Sequence, residues 1–202
     1  MRIVPLLLAV GAATSLGAKA QMIEPARHGV PAYLPRGAFV GAHVNQGAFV
    51  PQGRIFWQLT LVQTRNDALV GVLGGGGGFG LNHPRGVSNS GMPFTILSLY
   101  EHTLLVGIAY RATYVNNFHW GFHFLTGPVF YGATYDTLPA ENRWDGNVEG
   151  TLEIGIKVGE VTFGATGGWA QPYNTLINST VVSYVGGPMF GVFLDWRPLP
   201  KR

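Results

Sequence analysis

The segment Leu104-Leu105-Val106-Gly107-Ile108-Ala109-Tyr110-Arg111-Ala112-Thr113-Tyr114 decides how the rest of the chain is read. In an extended strand, alternate side chains point to opposite faces. Leu104, Val106, Ile108, Tyr110, Ala112 and Tyr114 then share one face. Gly107, Ala109, Arg111 and Thr113 share the other, with Leu105 the exception. The next segment repeats the pattern, with Phe118, Trp120, Phe122 and Phe124 set against His119, Gly121 and His123. Further on, Leu152, Ile154, Ile156 and Val158 alternate with Thr151, Glu153, Gly155 and Lys157. Val161, Phe163, Ala165 and Trp169 alternate with Thr162, Gly164, Thr166 and Gly168. Near the start, Ile55, Trp57, Leu59 and Leu61 alternate with Phe56, Gln58, Thr60 and Val62. A period of two sustained along the chain predicts β-strands with unlike faces.

The content of those faces says more than the alternation. A water-soluble sandwich or barrel keeps its apolar face inward and covers the other with Lys, Glu, Asp and Ser. Here the second face is mostly Gly, Ala and Thr, with a few charged or imidazole groups. Such a face suits a narrow lumen, and large apolar and aromatic side chains then face lipid. The composition agrees. Charged residues are 11% of the chain, against about 25% in a soluble domain. Glycine reaches 30 residues and aromatics 12%. The net charge of +3 is small and shows no Lys/Arg cluster, so nucleic acid is not an expected partner.

Eight strands are predicted, at 38–46, 54–64, 68–80, 103–114, 118–135, 148–158, 161–170 and 182–196. The connections at Thr64 to Asp67, Val115 to Asn117 and Gly159-Glu160 are tight. Those at Gly47 to Gly53, Leu81 to His102, Asp136 to Asn147 and Gln171 to Val181 are longer and polar. This alternation fits a closed, all-β, antiparallel up-and-down transmembrane barrel with short periplasmic turns and longer external loops. Phe94 to Glu101 either lengthens the fourth strand or forms a short helix in the second loop. Gly74 to Gly78 leave no face to read, and permit a bend or the close approach of a bulky neighbour.

Residues 1–20 have the layout of a secretory signal: Arg2, then the apolar run Ile3 to Ala13, then Ala18-Lys19-Ala20 ahead of Gln21. Cleavage there leaves 182 of the 202 residues. The apolar run is shorter than the roughly 20 residues a spanning helix needs. Residues 21–36 are expected to be an irregular periplasmic lead-in, 37–196 the barrel and 197–202 a short tail. The chain has no cysteine, so disulfides and thiol chemistry are excluded.

Gly191-Val192-Phe193-Leu194-Asp195-Trp196 resembles the C-terminal signal of bacterial outer-membrane barrels. There a glycine is followed at the third and fifth positions by hydrophobic residues, the fifth usually aromatic. Gly191, Leu194 and Trp196 carry the resemblance. Met189 and the extension past Trp196 depart from it. With the signal peptide and alternating strands, residues 37–196 resemble the OmpA/OmpX-type small barrels of Gram-negative bacteria. The resemblance implies location in the outer membrane, contact with its lipid, and recognition by the barrel-assembly machinery.

The predicted inward face gathers His43, Arg111, His119, His123, Glu153, Lys157 and Asp195. These read as a charge network that fills a barrel too narrow for a water channel, with Glu153 set to neutralise Arg111 or Lys157. A selectivity ring, a metal site or an acid–base site is the alternative. His119 and His123 share a face but lie about 13 Å apart along a strand, too far to chelate one ion. No His-x-Ser pair occurs, and the adjacent Glu101 and His102 near Ser98 point to opposite faces. No enzymatic activity and no cofactor are therefore expected. The function read from the sequence is a structural or surface-exposed barrel whose loops contact an unidentified ligand or partner. A soluble exported barrel holding an apolar ligand and a lipid-modifying enzyme are the alternatives.

Overall fold

The computed structural model describes residues 34–64, 66–173 and 179–196. The predicted signal peptide, most of the lead-in and the tail lie outside them. The strands are β1 (Gly37–Asn45), β2 (Ala48–Gln63), β3 (Asp67–Phe79), β4 (Arg85–Val87), β5 (Pro93–Thr113), β6 (Phe118–Tyr135), β7 (Glu141–Val158), β8 (Val161–Pro172) and β9 (Gly187–Trp196). All pair antiparallel, in the order β3-β2-β1-β9-β8-β7-β6-β5, and β3 also pairs with β5. That last pairing closes eight strands into a ring, which leaves no free barrel edge. The short β4 pairs only with the start of β5.

The register fixes the geometry of the ring. Thr60 pairs with Val70, and the row continues through Ala109, His123, Thr151, Gly168, Met189 and His43 to Val50. One circuit therefore returns ten residues along β2 from its start. Eight strands with that stagger tilt by roughly 40°, so each residue climbs the axis by about 2.5 Å.

The outward faces are apolar as expected. Leu104, Val106, Ile108, Tyr110, Phe122, Phe124, Ile154 and Ile156 are all exposed. Aromatic rings bound this surface at two levels. Toward the loop end, a chain of contacts links Phe79, His102, Tyr100, Phe130 and Trp144, with centroids 4.9–6.4 Å apart. Toward the turn end, Tyr110 meets Trp120 at 5.4 Å, Tyr114 stacks on Phe118 at 6.2 Å, and the Trp120 indole donates to the Tyr114 hydroxyl. Tyr100 to Tyr110 and Phe130 to Trp120 each span ten residues, or about 25 Å along the axis, the height of the apolar band of an outer-membrane barrel.

Several predicted boundaries need correction. The segment 47–53 is not a long loop: β1 and β2 join at a two-residue turn, with Gln46 at φ 45° and Gly47 at φ 81°. These are the left-handed torsions of a hairpin turn that matches strand twist. The strict alternation of short and long connections therefore fails at the first hairpin. Phe94 to Glu101 lengthens β5 and is not helical. β7 begins at Glu141, so most of the loop predicted to reach Asn147 is strand. Residues 182–186 fall outside the last strand, with Val181–Tyr184 forming a single 3₁₀ turn. Asp136, in the β6–β7 connection, accepts from the Thr95 amide at 2.7 Å, which holds its carboxyl below the usual range.

Gly74 to Gly78 continue β3 without a break. A Cβ on Gly74 would lie 2.5 Å from the Phe56 ring, and one on Gly76 would lie 2.7 Å from Arg54 Cγ. The run makes room for two bulky inward side chains of β2.

Candidate polar centre of the lumen

Inside the barrel, Arg111 of β5, His119 and His123 of β6, Glu153 of β7 and Asp195 of β9 converge near the turn end. Their inward placement follows from the alternation that turns Tyr110, Trp120, Ile154 and Leu194 outward. The Arg111 guanidinium lies 2.9 Å from Glu153 through Nε and 2.8 Å from Asp195 through Nη1. Gln58 accepts from Arg111 at 2.7 Å and donates to Asp195 at 2.8 Å. The two histidines, although four residues apart on one strand, both reach the Glu153 carboxylate. Nε2 of His119 lies 3.0 Å from Oε1, and Nε2 of His123 lies 3.0 Å from Oε2. All five side chains are less than a tenth exposed.

One glycine makes this convergence possible. Arg111, Gly121 and Glu153 share a register row on three adjacent strands. A Cβ at Gly121 would stand 2.6 Å from Glu153 Oε1 and 3.0 Å from its Cγ. The bare position lets the carboxylate cross an intervening strand to the guanidinium. Gly37 of β1 plays the same part beneath the Gln58–Asp195 bond, where a Cβ would lie 2.7 Å from Gln58 Nε2. Gly121→Ala is therefore expected to displace Glu153 and lower stability by about 1–3 kcal/mol, as overpacking does. Gly150→Ala, whose nearest neighbour is Phe122 at 4.0 Å, should change the urea midpoint little. Equal midpoints for the two variants would contradict the account.

Lys157 does not join the network. It lies on the inward face but is partly exposed, and lines a turn-end cavity of about 80 Å³ with Asp67, Arg111, His119, Glu160 and Asp195. Among the described residues none of the ion pairs is made by Lys157. The physical reason is its place one residue from the end of β7, where a long flexible stem reaches the mouth and keeps its ammonium hydrated.

A second charged layer, nearer the loop end, was missed except for His43. Arg54 pairs with Glu149 and donates from Nε to Gln52 Oε1 at 3.0 Å. His43 Nε2 lies 2.9 Å from Glu101, and Asn147 donates to Glu149 at 2.7 Å. Glu101 points inward and His102 outward, as the alternation requires. Above this layer, an apolar cluster including Phe94, Ile96, Tyr131, Tyr135, Val181 and Tyr184 fills the loop end.

This arrangement packs the lumen between the turn-end cavity and the loop-end cluster. The cavity between the two layers is only about 30 Å³. No group of three or more His, Asp or Glu among the described residues is placed to hold a metal ion. Around Glu153 the Arg111 guanidinium, 3.3 Å from His123 Nε2, stands where a cation would have to sit. The residues that resemble an assembly signal lie on β9, with Leu194 outward among the exposed apolar residues and Gly191 on the inner face.

No family profile and no curated protein matches the chain. Among solved structures, the outer-membrane enzyme PagL is similar at a TM-score of 0.48 and 10% identity, covering 81% of this chain and 99% of that one. The Yersinia pestis outer-membrane protein Ail, determined in a phospholipid bilayer nanodisc, is similar at a TM-score of 0.36 and 9% identity. That likeness covers 82% of this chain and all of Ail. The ring of eight antiparallel strands rests on the pairings described above, and neither likeness bears on activity.

Proposed function

We propose that this chain is an outer-membrane β-barrel with a structural or surface-exposed role, exported behind a signal peptide cleaved before Gln21. It is neither a pore nor an enzyme in this reading, and its loop end contacts the exterior. The observation that carries the proposal is the pairing of two aromatic levels about 25 Å apart, with an apolar surface between them, around a lumen closed by buried ion pairs. A water-soluble barrel would not present Leu104, Val106, Ile108, Ile154 and Ile156 to solvent together. Insertion by the barrel-assembly machinery, guided by Gly191, Leu194 and Trp196, belongs to the same proposal.

Cell fractionation with mass analysis of the N-terminus tests the reading. The expected result is a protein extracted from the outer membrane only by detergent, beginning at Gln21, that gives no channel steps in planar bilayers. Recovery in the soluble fraction, or steady conductance, would contradict it.

A further inference from the structure

The loop end of the barrel is stoppered by the chain's own segment Ser179–Gly186. Val181, Tyr184 and Val185 are 0%, 5% and 1% exposed, packed against Val50, Phe94, Ile96 and Tyr131. The walls beneath belong to β2, β5 and β6, whose ladders are complete without the segment. Among the described residues, few hydrogen bonds tie the segment to the strands. Glu141, the first residue of β7, accepts from Ser179 Oγ at 2.8 Å and from the Thr180 amide at 3.1 Å. Asn45 Nδ2 donates to the Val185 carbonyl at 3.0 Å. At the junction with β9, Gly186 and Gly187 follow one another at φ 73° and 93°. Gly187 is held in the ladder by its pairing with Ala170, and Gly186, just outside β9, is the position whose glycine eases reorientation.

We propose that Ser179–Gly186 is a displaceable lid over an apolar binding cup. The cup opens on the loop side and takes a small uncharged apolar molecule in place of Val181, Tyr184 and Val185. The lining dictates the ligand class. The buried members of the cluster are Ala, Val, Ile, Leu, Phe and Tyr. The nearest hydroxyls are already engaged, Tyr131 with Asp145 at 3.5 Å and Tyr135 with Glu141 at 3.2 Å. A charged ligand would find no partner there and would lose its hydration. Because the cup lies above the loop-side aromatic level, its ligand arrives from the external aqueous phase.

The absence of native cysteine makes a thiol-accessibility test clean. Ala133, 1% exposed in the cup wall, is replaced by Cys, and the barrel is refolded in phosphatidylcholine vesicles. Labelling by a membrane-impermeant maleimide should be slow, and at least about tenfold faster with Glu141→Ala, since opening frees the buried wall. Glu141→Gln, which keeps an acceptor for Thr180, should fall between. The uncharged probe 1-N-phenylnaphthylamine should slow labelling of the Glu141→Ala barrel but not of Val87→Cys, an exposed control on β4. Unchanged labelling in a Glu141→Ala barrel that runs as folded on unheated gels would overturn the lid. Faster labelling that the probe does not slow would overturn the binding cup. If Glu141→Ala does not fold, Asn45→Ala removes the other attachment and is read by the same criteria.

Discussion

Arg111→Met is expected to destabilise the folded barrel by about 5 kcal/mol, the upper end of the cost of breaking a buried ion pair. The guanidinium is shared by Glu153 and Asp195, and its loss leaves two carboxylates facing each other inside a narrow barrel. Glu153→Ala should cost less, about 3 kcal/mol, because Arg111 keeps Asp195 at 2.8 Å. Combining Arg111→Met with Glu153→Ala should recover part of the loss, since the second change removes a buried carboxylate that the first left without its guanidinium and with only His119 and His123 as partners. Lys157→Ala should give no such recovery, because Lys157 makes none of these ion pairs. Urea unfolding in lipid vesicles measures the cycle, with Val115→Ala in an exposed turn as the reference. Glu141→Ala is unsuitable as that reference, because Glu141 holds the 179–186 segment. Additive losses, or a Lys157 rescue as large as the Arg111 one, would contradict the assignment.

The second large effect is on the outer surface. Val106 is 56% exposed on β5, near the middle of the stretch between Tyr100 and Tyr110. An arginine at that depth should cost about 2–4 kcal/mol, because the guanidinium would have to be solvated within the hydrocarbon. Leu97→Arg starts from a similar exposure of 50% but lies beyond Tyr100, where the medium is aqueous, and should cost little. Ile154 is a poorer probe of mid-depth than Val106. It lies ten residues from Trp144, close to the turn-side aromatic level. Equal costs for Val106→Arg and Leu97→Arg would mean that the apolar band is misplaced.

The fold was legible wherever large apolar and small polar side chains alternate without interruption, as in Leu104 to Tyr114. The faces followed from it, and with them the inward placement of Arg111, His119, His123, Glu153 and Asp195. What was not legible lay where local residues argue against strand. Pro51 and Gly53 read as turn residues, yet β2 runs through both, which hid Gln52 and Arg54. The actual turn has Gln at a left-handed position, where Asn or Gly is the usual signal. Glu149 stood one residue inside a predicted strand boundary, and Glu101 lay in a segment of undecided structure. The parity they share with Glu153 and Leu105 was the available clue to the second layer. The separation of His119 and His123 was judged from the backbone alone, whereas two long side chains bending toward one carboxylate close that distance. Lys157 shows the converse: sharing a face is not sharing a partner.

β5 is expected to cross a bilayer between Tyr100 and Tyr110, with alternate residues facing lipid and a packed lumen. A nitroxide scan from Leu97 to Ala112 in vesicles tests it most directly, since cysteines can be introduced singly into a chain that has none. Accessibility to oxygen should alternate with a period of two and peak at Val106, while accessibility to an aqueous nickel chelate should rise only beyond Tyr100 and Tyr110. Oxygen accessibility without alternation, or chelate access at Val106, would contradict the account.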